Sequence, residues 1–110
     1  MDFSQVYIVT FITRPHIESL LNAIADAGGG VIGQYTHCAF TTIGTGHFKP
    51  LEGANPRFGD KLQVNQADEW RVETFCERSV AKEVIEAIKA VHPYDQPVIY
   101  MMPLIDENQL

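Results

Sequence analysis

GQYTHCAFTTIGTGHFKPLEGANP, residues 33–56, is the stretch around which the rest of the chain can be organised. Its part from Tyr35 to Ile43 is β-branched, aromatic or small, which favours a strand. Glycines and prolines recur after Ile43 and predict a long loop over about residues 44–68. Loops of this length are usually binding loops or disordered. Because Phe48 and Phe58 offer apolar anchors, we expect an ordered loop with a binding role.

Composition indicates an ordinary globular protein. The chain has 110 residues, of which 45% are hydrophobic and 20% charged, and we interpret residues 1–110 as a single domain. A net charge of −6 without a basic stripe disfavours nucleic acids and anionic membranes as partners. No apolar run approaches the ~18 residues of a membrane span. The apolar run from Val6 to Ile12 has no basic residue before it, so it is typical of a strand and not of a secretion signal. We expect a soluble cytoplasmic protein.

Hydrophobic periodicity predicts six elements. Alternating apolar positions predict strands, and apolar positions three and four apart predict helices. A helix should end at the three glycines of residues 28–30, and prolines at both ends of the last strand indicate an edge position. The expected elements are a first strand Val6–Ile12, a helix Pro15–Ala27, a second strand Val31–Ile43, a third strand Glu69–Cys76, a helix from Ser79 to His92 and a last strand Val98–Met102.

This order of elements predicts a ferredoxin-like α+β sandwich, βαββαβ, with a four-stranded antiparallel sheet and two helices on one face. The other sheet face would then present Tyr7, Val9, Phe11 and Phe75. Exposed apolar patches above a few hundred Å² usually mark an interface. We therefore expect self-association through this face.

Several polar residues are candidates for a site, and each has a structural alternative. Glu73 should share a sheet face with Arg71, so it is either half of an ion pair or an acid facing a cleft. His92 and Tyr94 belong to a proline-stiffened segment that either faces a ligand or is a rigid connection in which His92 contacts helix carbonyls. Glycines such as Gly44 are expected to let the backbone turn.

Metal binding is a second question that the sequence leaves open. Thiolate and imidazole are the usual ligands for zinc and copper, which makes Cys38, His47 and His92 candidates. His37 and Cys38 are adjacent in an expected strand, so their side chains should point to opposite faces. Cys38 and Cys76 are expected to be reduced, buried thiols within strands and not a disulfide.

Four short motifs in order resemble a known family. They are Gly33-Gln34-Tyr35 followed by Cys38, then Gly44-Thr45-Gly46-His47-Phe48-Lys49-Pro50, then Gly53-Ala54-Asn55-Pro56, and finally His92-Pro93-Tyr94-Asp95-Gln96-Pro97. Over roughly Val6 to Leu104 the chain resembles the domain inserted in the Nif-three-like dinuclear-metal hexameric proteins, here expected as a stand-alone chain. The resemblance implies a PII-like or CutA-like fold that forms trimers.

Two departures limit what the resemblance implies. Asp95 and Gln96 stand where the family motif has two glutamates. The family's dinuclear-metal ligands belong to a flanking domain, so hydrolase activity is not carried over to this chain. The four histidines form no His-x-His or His-x-x-Glu set.

The sequence thus favours a homo-oligomeric binding or regulatory module, a homotrimer, that holds a small ligand or divalent metal ion in subunit clefts. One alternative is a protein-partner docking domain, and another is an enzyme using Tyr35, Glu73 or His92 as acid or base. No nucleophile-and-base pair or cofactor fingerprint is present, so no catalytic residue is assigned and no cofactor is identified. The candidate ligand-binding residues are Tyr35, His47, Phe48, Glu73, His92 and Tyr94.

Overall fold

The structure is an antiparallel sheet covered on one face by two helices. It is a computed structural model that describes residues 2–110. The sheet order is β2-β3-β1-β4, so β1 is central and β4 is an edge strand, as expected. This is the predicted ferredoxin-like α+β architecture. The elements are β1 (Gln5–Ile12), α1 (Ile17–Asp26), β2 (Phe40–Phe48), β3 (Asn65–Glu77), α2 (Ala81–Val91) and β4 (Ile99–Leu104), with single 3₁₀ turns at Arg14–His16, Arg78–Val80 and Glu107–Gln109.

The core lies between the sheet and both helices. Alternate residues of β1 and β3 face the helices, and every third or fourth residue of α1 and α2 faces the sheet. Each fully buried aliphatic side chain contributes about 1.5–3 kcal/mol relative to exposure. Among residues 2–110, no helix is long and apolar enough to cross a membrane. The central core residues are Val6, Ile8, Ile12, Leu20, Ile24, Val72, Cys76, Val84 and Ile88.

The second strand begins later than its composition suggested, at Phe40 instead of Val31. Gly33 and His37 have φ values of 55° and 60°, which interrupt an extended strand. Cys38 instead belongs to a connection in which its carbonyl accepts a 2.8 Å hydrogen bond from the Thr74 hydroxyl. Cys38 is therefore half-buried and outside a strand, contrary to expectation, whereas Cys76 is buried in β3; both are free thiols.

β2 also continues further than expected, because Gly44 and Gly46 are strand residues and not loop residues. They pair with Glu69 and Ala67 of β3, and the pairing runs on to Phe48 and Asn65. The loop is consequently shorter than predicted and covers residues 49–64. The third strand begins earlier than predicted for the same reason, since residues 65–68 complete this ladder.

The hairpin of β2 and β3 projects beyond the central strand. The pairing of β1 with β3 stops at Ile12 and Trp70. Residues 44–48 and 65–69 therefore form a two-stranded arm past the end of β1, and the molecule measures 48 × 29 × 23 Å. The arm leaves a space between itself, its own loop and the segment that precedes β4.

The helix-free face of the sheet is only partly open. Val9 was expected to be exposed there but is 1% exposed, because it lies between Glu73 of β3 and Tyr100 of β4. The large exposed apolar residues on this face are at its margins: Phe40 is 66% exposed and Tyr100 is 56% exposed. The patch is thus divided, and its most exposed members come from the two edge strands.

Candidate functional site

A cleft of about 600 Å³ opens beneath the arm. Its walls come from β2, the loop 49–64, the β3 residues Glu69 and Arg71, and the segment 94–100. Elements far apart in sequence therefore build one concavity, and its size falls within the range typical of ligand pockets, about 300–1,000 Å³. Aromatic rings supply much of the lining: Phe11, Phe48, Phe58, Tyr94 and Tyr100.

The central polar contact of the cleft joins Tyr94 to Glu69. The phenolic oxygen of Tyr94 donates a 2.7 Å hydrogen bond to Oε2 of Glu69. Burial, and then the hydrogen bond to this carboxylate, raise the pKa of Tyr94 well above its usual range. The phenol therefore stays protonated at neutral pH, and Glu69 is held in one position as an acceptor.

His92 supports this contact from behind the cleft. Its Nδ1 accepts a 3.2 Å hydrogen bond from the Tyr94 backbone N–H, so the ring proton is on Nε2, which donates to the Phe11 carbonyl at 2.8 Å. Burial lowers the pKa of His92, although the hydrogen bond to the Phe11 carbonyl opposes that shift. The His92 ring also packs edge-on to the Tyr94 ring at 4.6 Å. The neutral imidazole thus positions Tyr94.

The loop 49–64 is fixed to the cleft by rings and by one hydrogen bond. Phe58 packs edge-to-face against Phe48 at 5.4 Å and against Tyr94 at 5.8 Å. Such pairs contribute about 0.5–1.5 kcal/mol beyond the area they bury. Asp95 Oδ2 accepts a 2.9 Å hydrogen bond from the Asn55 backbone N–H. The loop is therefore held at Phe58 and at Asn55.

The two glycines of the arm have different steric roles. A Cβ atom on Gly46 would lie 1.6 Å from Oε1 of Glu69, so the missing side chain provides the space that this carboxylate occupies. A Cβ atom on Gly44 would meet nothing within 4 Å. Gly44 leaves a bare stretch of backbone at the cleft surface, and neither residue makes the turn that the sequence suggested.

Arg71 is at the boundary between the cleft and the open sheet face. Its Nε lies 3.7 Å from Oε1 of Glu73, and its guanidinium carbon lies 6.0 Å from the centroid of the Phe11 ring. Oε1 of Glu73 also accepts a hydrogen bond from the Tyr7 hydroxyl. Glu73 is therefore engaged on the open face and is not part of the cleft lining.

This chain is similar in sequence and in structure to known proteins. The family model described as CutA1 divalent ion tolerance protein matches residues 58–109. Proteins called GTP cyclohydrolase 1 type 2 homolog are similar in sequence: that of Bacillus subtilis is 37% identical over 97 residues, and that of Halalkalibacterium halodurans is 34% identical over 102 residues. These matches cover 88% and 93% of this chain but 26% and 27% of the relatives.

Solved structures agree with the sequence matches. A Bacillus cereus protein related to NIF3 superposes with a TM-score of 0.82 and 35% identity, over 94% of this chain and 26% of its own. The chain has a CutA-like fold and is similar in sequence to one part of a NIF3-related protein. CutA1 from Ehrlichia chaffeensis shares the fold with a TM-score of 0.68 at 15% identity, over 98% of this chain and 88% of its own. The chain spans about a quarter of the length of the curated relatives it matches.

The CutA-like domain brings together only some of the residues singled out from sequence. His47, Phe48 and Tyr94 line the cleft, whereas Tyr35 does not. Tyr35 closes a tight turn with Ile32 before β2, and it is 72% exposed. His92 is buried next to the cleft, and its ring bonds a β1 carbonyl and not the α2 carbonyls of the rigid-connection interpretation. Asp95 accepts a hydrogen bond from a backbone amide in the loop, 40 positions away.

The metal-ligand candidates do not form a cluster in the CutA-like domain. Within residues 2–110, no three His, Cys, Asp or Glu side chains form a group that could hold a metal ion. Cys38 lies in the connection before β2, His47 lies on the arm, and His92 is committed to two hydrogen bonds.

Sequence reasoning missed several cleft residues of the CutA-like domain. Glu69, Arg71 and Glu73 are alternate residues of β3 and so share one sheet face, but only Arg71 and Glu73 were assigned to it from sequence. This alternation assigns a residue to the open face, but it does not distinguish the residues that line the cleft from the others on that face. Lys49 and Arg57 carried no periodic signal because they lie in the loop 49–64, and only the folded loop turns them toward the cleft.

Proposed function

We propose that this CutA-like domain is a small homo-oligomeric binding or regulatory module whose cleft holds a small organic ligand. The observation that carries the proposal is the Tyr94–Glu69 hydrogen bond, which fixes polar groups in a cleft that aromatic rings also line. Preorganised polar groups in an apolar pocket are what small-ligand recognition requires. The loop anchored by Phe58 and Asp95 gives the cleft a lasting shape.

The oligomer we propose is a closed homotrimer formed through the open sheet face. Tyr7, Phe11 and Phe75 are half-buried on this face in a single chain, while Phe40 and Tyr100 are largely exposed. Copies of the same chain would cover this surface and remove its apolar area from water. Such burial stabilises the oligomer by about 25 cal/mol per Å². An interface that reaches Phe11 and Tyr100 would adjoin the cleft, since both residues also line it.

Sedimentation velocity tests the oligomer directly. A Phe75→Glu substitution should shift the protein toward monomer at micromolar concentration, because a buried unpaired charge is costly. Ile32→Glu is the matched control, since Ile32 is 59% exposed in a turn before β2 and is not a residue of the sheet. A monomeric unmodified protein, or equal effects of the two substitutions, would contradict the trimer.

Binding is tested by thermal-shift titration with divalent metal chlorides, nucleotides and common organic acids. A ligand that occupies the cleft should raise the melting temperature by mass action, and Gly44→Val should abolish the shift. The new side chain would enter open space in a strand, where valine is well tolerated, so the fold should persist. Gly53→Ala is the control, because Gly53 also has open space but does not line the cleft.

A second candidate function is favoured by one comparison. The matched region is about a quarter of each longer relative, so there it is joined to much more protein. A docking role would give this chain a protein partner instead of a small ligand. Finding no thermal shift in the panel together with a defined stoichiometric complex would favour docking over the cleft.

A further inference from the structure

Charge is distributed unevenly between the cleft and the rest of the molecule. The chain has a net charge of −6, with 14 acidic residues against 8 lysines and arginines. The cleft lining nevertheless has more cations than anions: Lys49, Arg57 and Arg71 against Glu69 and Asp95. Low-dielectric walls concentrate the field of such groups within a cleft. The lining therefore has one more cationic than anionic side chain, although the protein as a whole is acidic.

The two carboxylates of the lining are already engaged within the chain. Oε2 of Glu69 accepts from the Tyr94 phenol, and Oδ2 of Asp95 accepts from the Asn55 backbone N–H. Neither bond involves a cationic partner. The negative groups of the cleft thus act as structural acceptors that hold the cleft together.

The cationic side chains of the lining form few ion pairs within the chain. Within residues 2–110 the ion pairs are Arg71–Glu73 and Arg78–Asp2, so Lys49 and Arg57 pair with no carboxylate. The Arg71 contact is long at 3.7 Å, and nearly half of its side chain is exposed. Arginine and lysine in this state are free to bind a carboxylate, sulfonate or phosphate.

The remaining surface of the cleft suits a flat ring. Gly44 presents backbone without a side chain, and its Cβ position is open for at least 4 Å. Phe48, Phe58 and Tyr94 form a continuous edge-to-face row along one wall. Additional rings pack well against aromatic faces and edges in offset or perpendicular arrangements. A planar group can therefore lie between the glycine surface and the aromatic row.

We propose that the cleft selects a small molecule that combines a planar aromatic or heteroaromatic ring with an anionic group. The ring lies along Phe58 and Tyr94, and the anion is bound by Lys49 and Arg57 at the loop. This inference rests on the proposed binding function and specifies the ligand class for the same site.

A matched pair of fluorescent probes tests the charge preference on the full chain. 1-Anilinonaphthalene-8-sulfonate is anionic, and N-phenyl-1-naphthylamine has the same ring system without the charge. The anionic probe should bind more tightly by about three- to tenfold, as expected for two partly exposed charge contacts. Its affinity should fall as salt is raised, whereas that of the neutral probe should change little.

Three variants separate the outcomes. The Lys49→Gln/Arg57→Gln double variant should reduce anionic-probe affinity to the level of the neutral probe, while Gly44→Val should weaken both probes. Lys82→Gln/Lys89→Gln is the control, because it makes the same charge change on the exposed surface of α2. Its effect on the anionic probe should be small.

Each contrary result has a distinct meaning. If Gly44→Val weakens both probes but the two double variants behave alike, the anion preference is wrong while binding in the cleft stands. If Gly44→Val changes neither probe, or neither probe binds, both the ligand class and the cleft function are wrong. Tighter binding of the neutral probe to the unmodified protein would also overturn the proposed anion selectivity.

Discussion

The phenol of Tyr94 and the carboxylate of Glu69 are joined by a 2.7 Å hydrogen bond although 25 positions separate them in the chain. Tyr94 comes after α2, and Glu69 is the β3 residue at the base of the arm. The bond therefore connects the segment after α2 to the part of the β2–β3 hairpin that does not pair with β1. Its removal should affect both the cleft and the position of the arm.

Replacing Tyr94 with phenylalanine should lower the free energy of unfolding by about 1.5–3 kcal/mol, the usual net value of a hydrogen bond to a charged group. The ring contacts with Phe58 and His92 would remain, so the loss reports on the hydroxyl alone. Urea denaturation measures this loss of unfolding free energy. Tyr35→Phe is the control and should change little, because Tyr35 is 72% exposed. Equal effects of the two substitutions would show that the Tyr94–Glu69 bond contributes nothing.

Gly46→Ala should destabilise the protein, whereas Gly44→Ala should be neutral or stabilising. The new methyl at position 46 would displace the Glu69 carboxylate and so break its bond to Tyr94. At position 44 the methyl meets nothing, and losing glycine entropy in the unfolded chain stabilises by about 0.4–1 kcal/mol.

A double-mutant cycle identifies the cause of the Gly46→Ala effect. If the methyl acts through Glu69, Gly46→Ala and Tyr94→Phe remove the same bond, and their combined loss should be smaller than the sum. Fully additive losses in urea denaturation would mean that position 46 matters for another reason.

Stability should fall as the pH is lowered from 7.5 to 5.5, with His92 as the cause. Burial lowers the pKa of His92 in the folded protein, so the unfolded chain binds a proton more readily. The stabilisation is present above the unfolded pKa of about 6.5 and is lost as the pH falls toward the lower folded pKa. Protonated Nδ1 could also no longer accept the Tyr94 N–H.

The His92→Gln variant should flatten this pH dependence, since its amide can donate to the Phe11 carbonyl but does not titrate. His37→Gln, at an exposed position before β2, is the control and should keep the dependence of the unmodified protein. Unfolding free energies by denaturant at several pH values provide the comparison. Parallel curves for the unmodified protein and His92→Gln would exclude His92 as the titrating group.

Asp95→Ala should loosen the loop 49–64 without unfolding the sheet. Loss of the acceptor for the Asn55 N–H should speed hydrogen exchange at that amide by roughly three- to tenfold, in line with the energy of one hydrogen bond. Asp68→Ala, an exposed change on the arm, is the control. Unchanged exchange at Asn55 would show that the aromatic contacts of Phe58 are sufficient to hold the loop.

Local periodicity was enough to predict the layers of the fold. Apolar residues recur on the side of an element that faces apolar surroundings. This gives the two-residue alternation of Val6–Ile12 and Glu69–Cys76 and the helical spacing around Leu20 and Ile88. The order of the elements then restricts the topology, because right-handed crossovers leave few arrangements. The Arg71–Glu73 pair was also predictable, since residues two apart in a strand share a face.

The tertiary structure alone decided the extent of β2, the role of its glycines and the partners of the cleft residues. Composition favours turns at Gly44 and Gly46, but pairing with Glu69 and Ala67 overrides that preference, as strand propensity depends on context. His92 bonds the Phe11 carbonyl, 81 positions away, and no spacing along the chain encodes that distance. Periodicity records which face of an element is apolar, whereas hydrogen-bond partners between elements are fixed only when the elements pack.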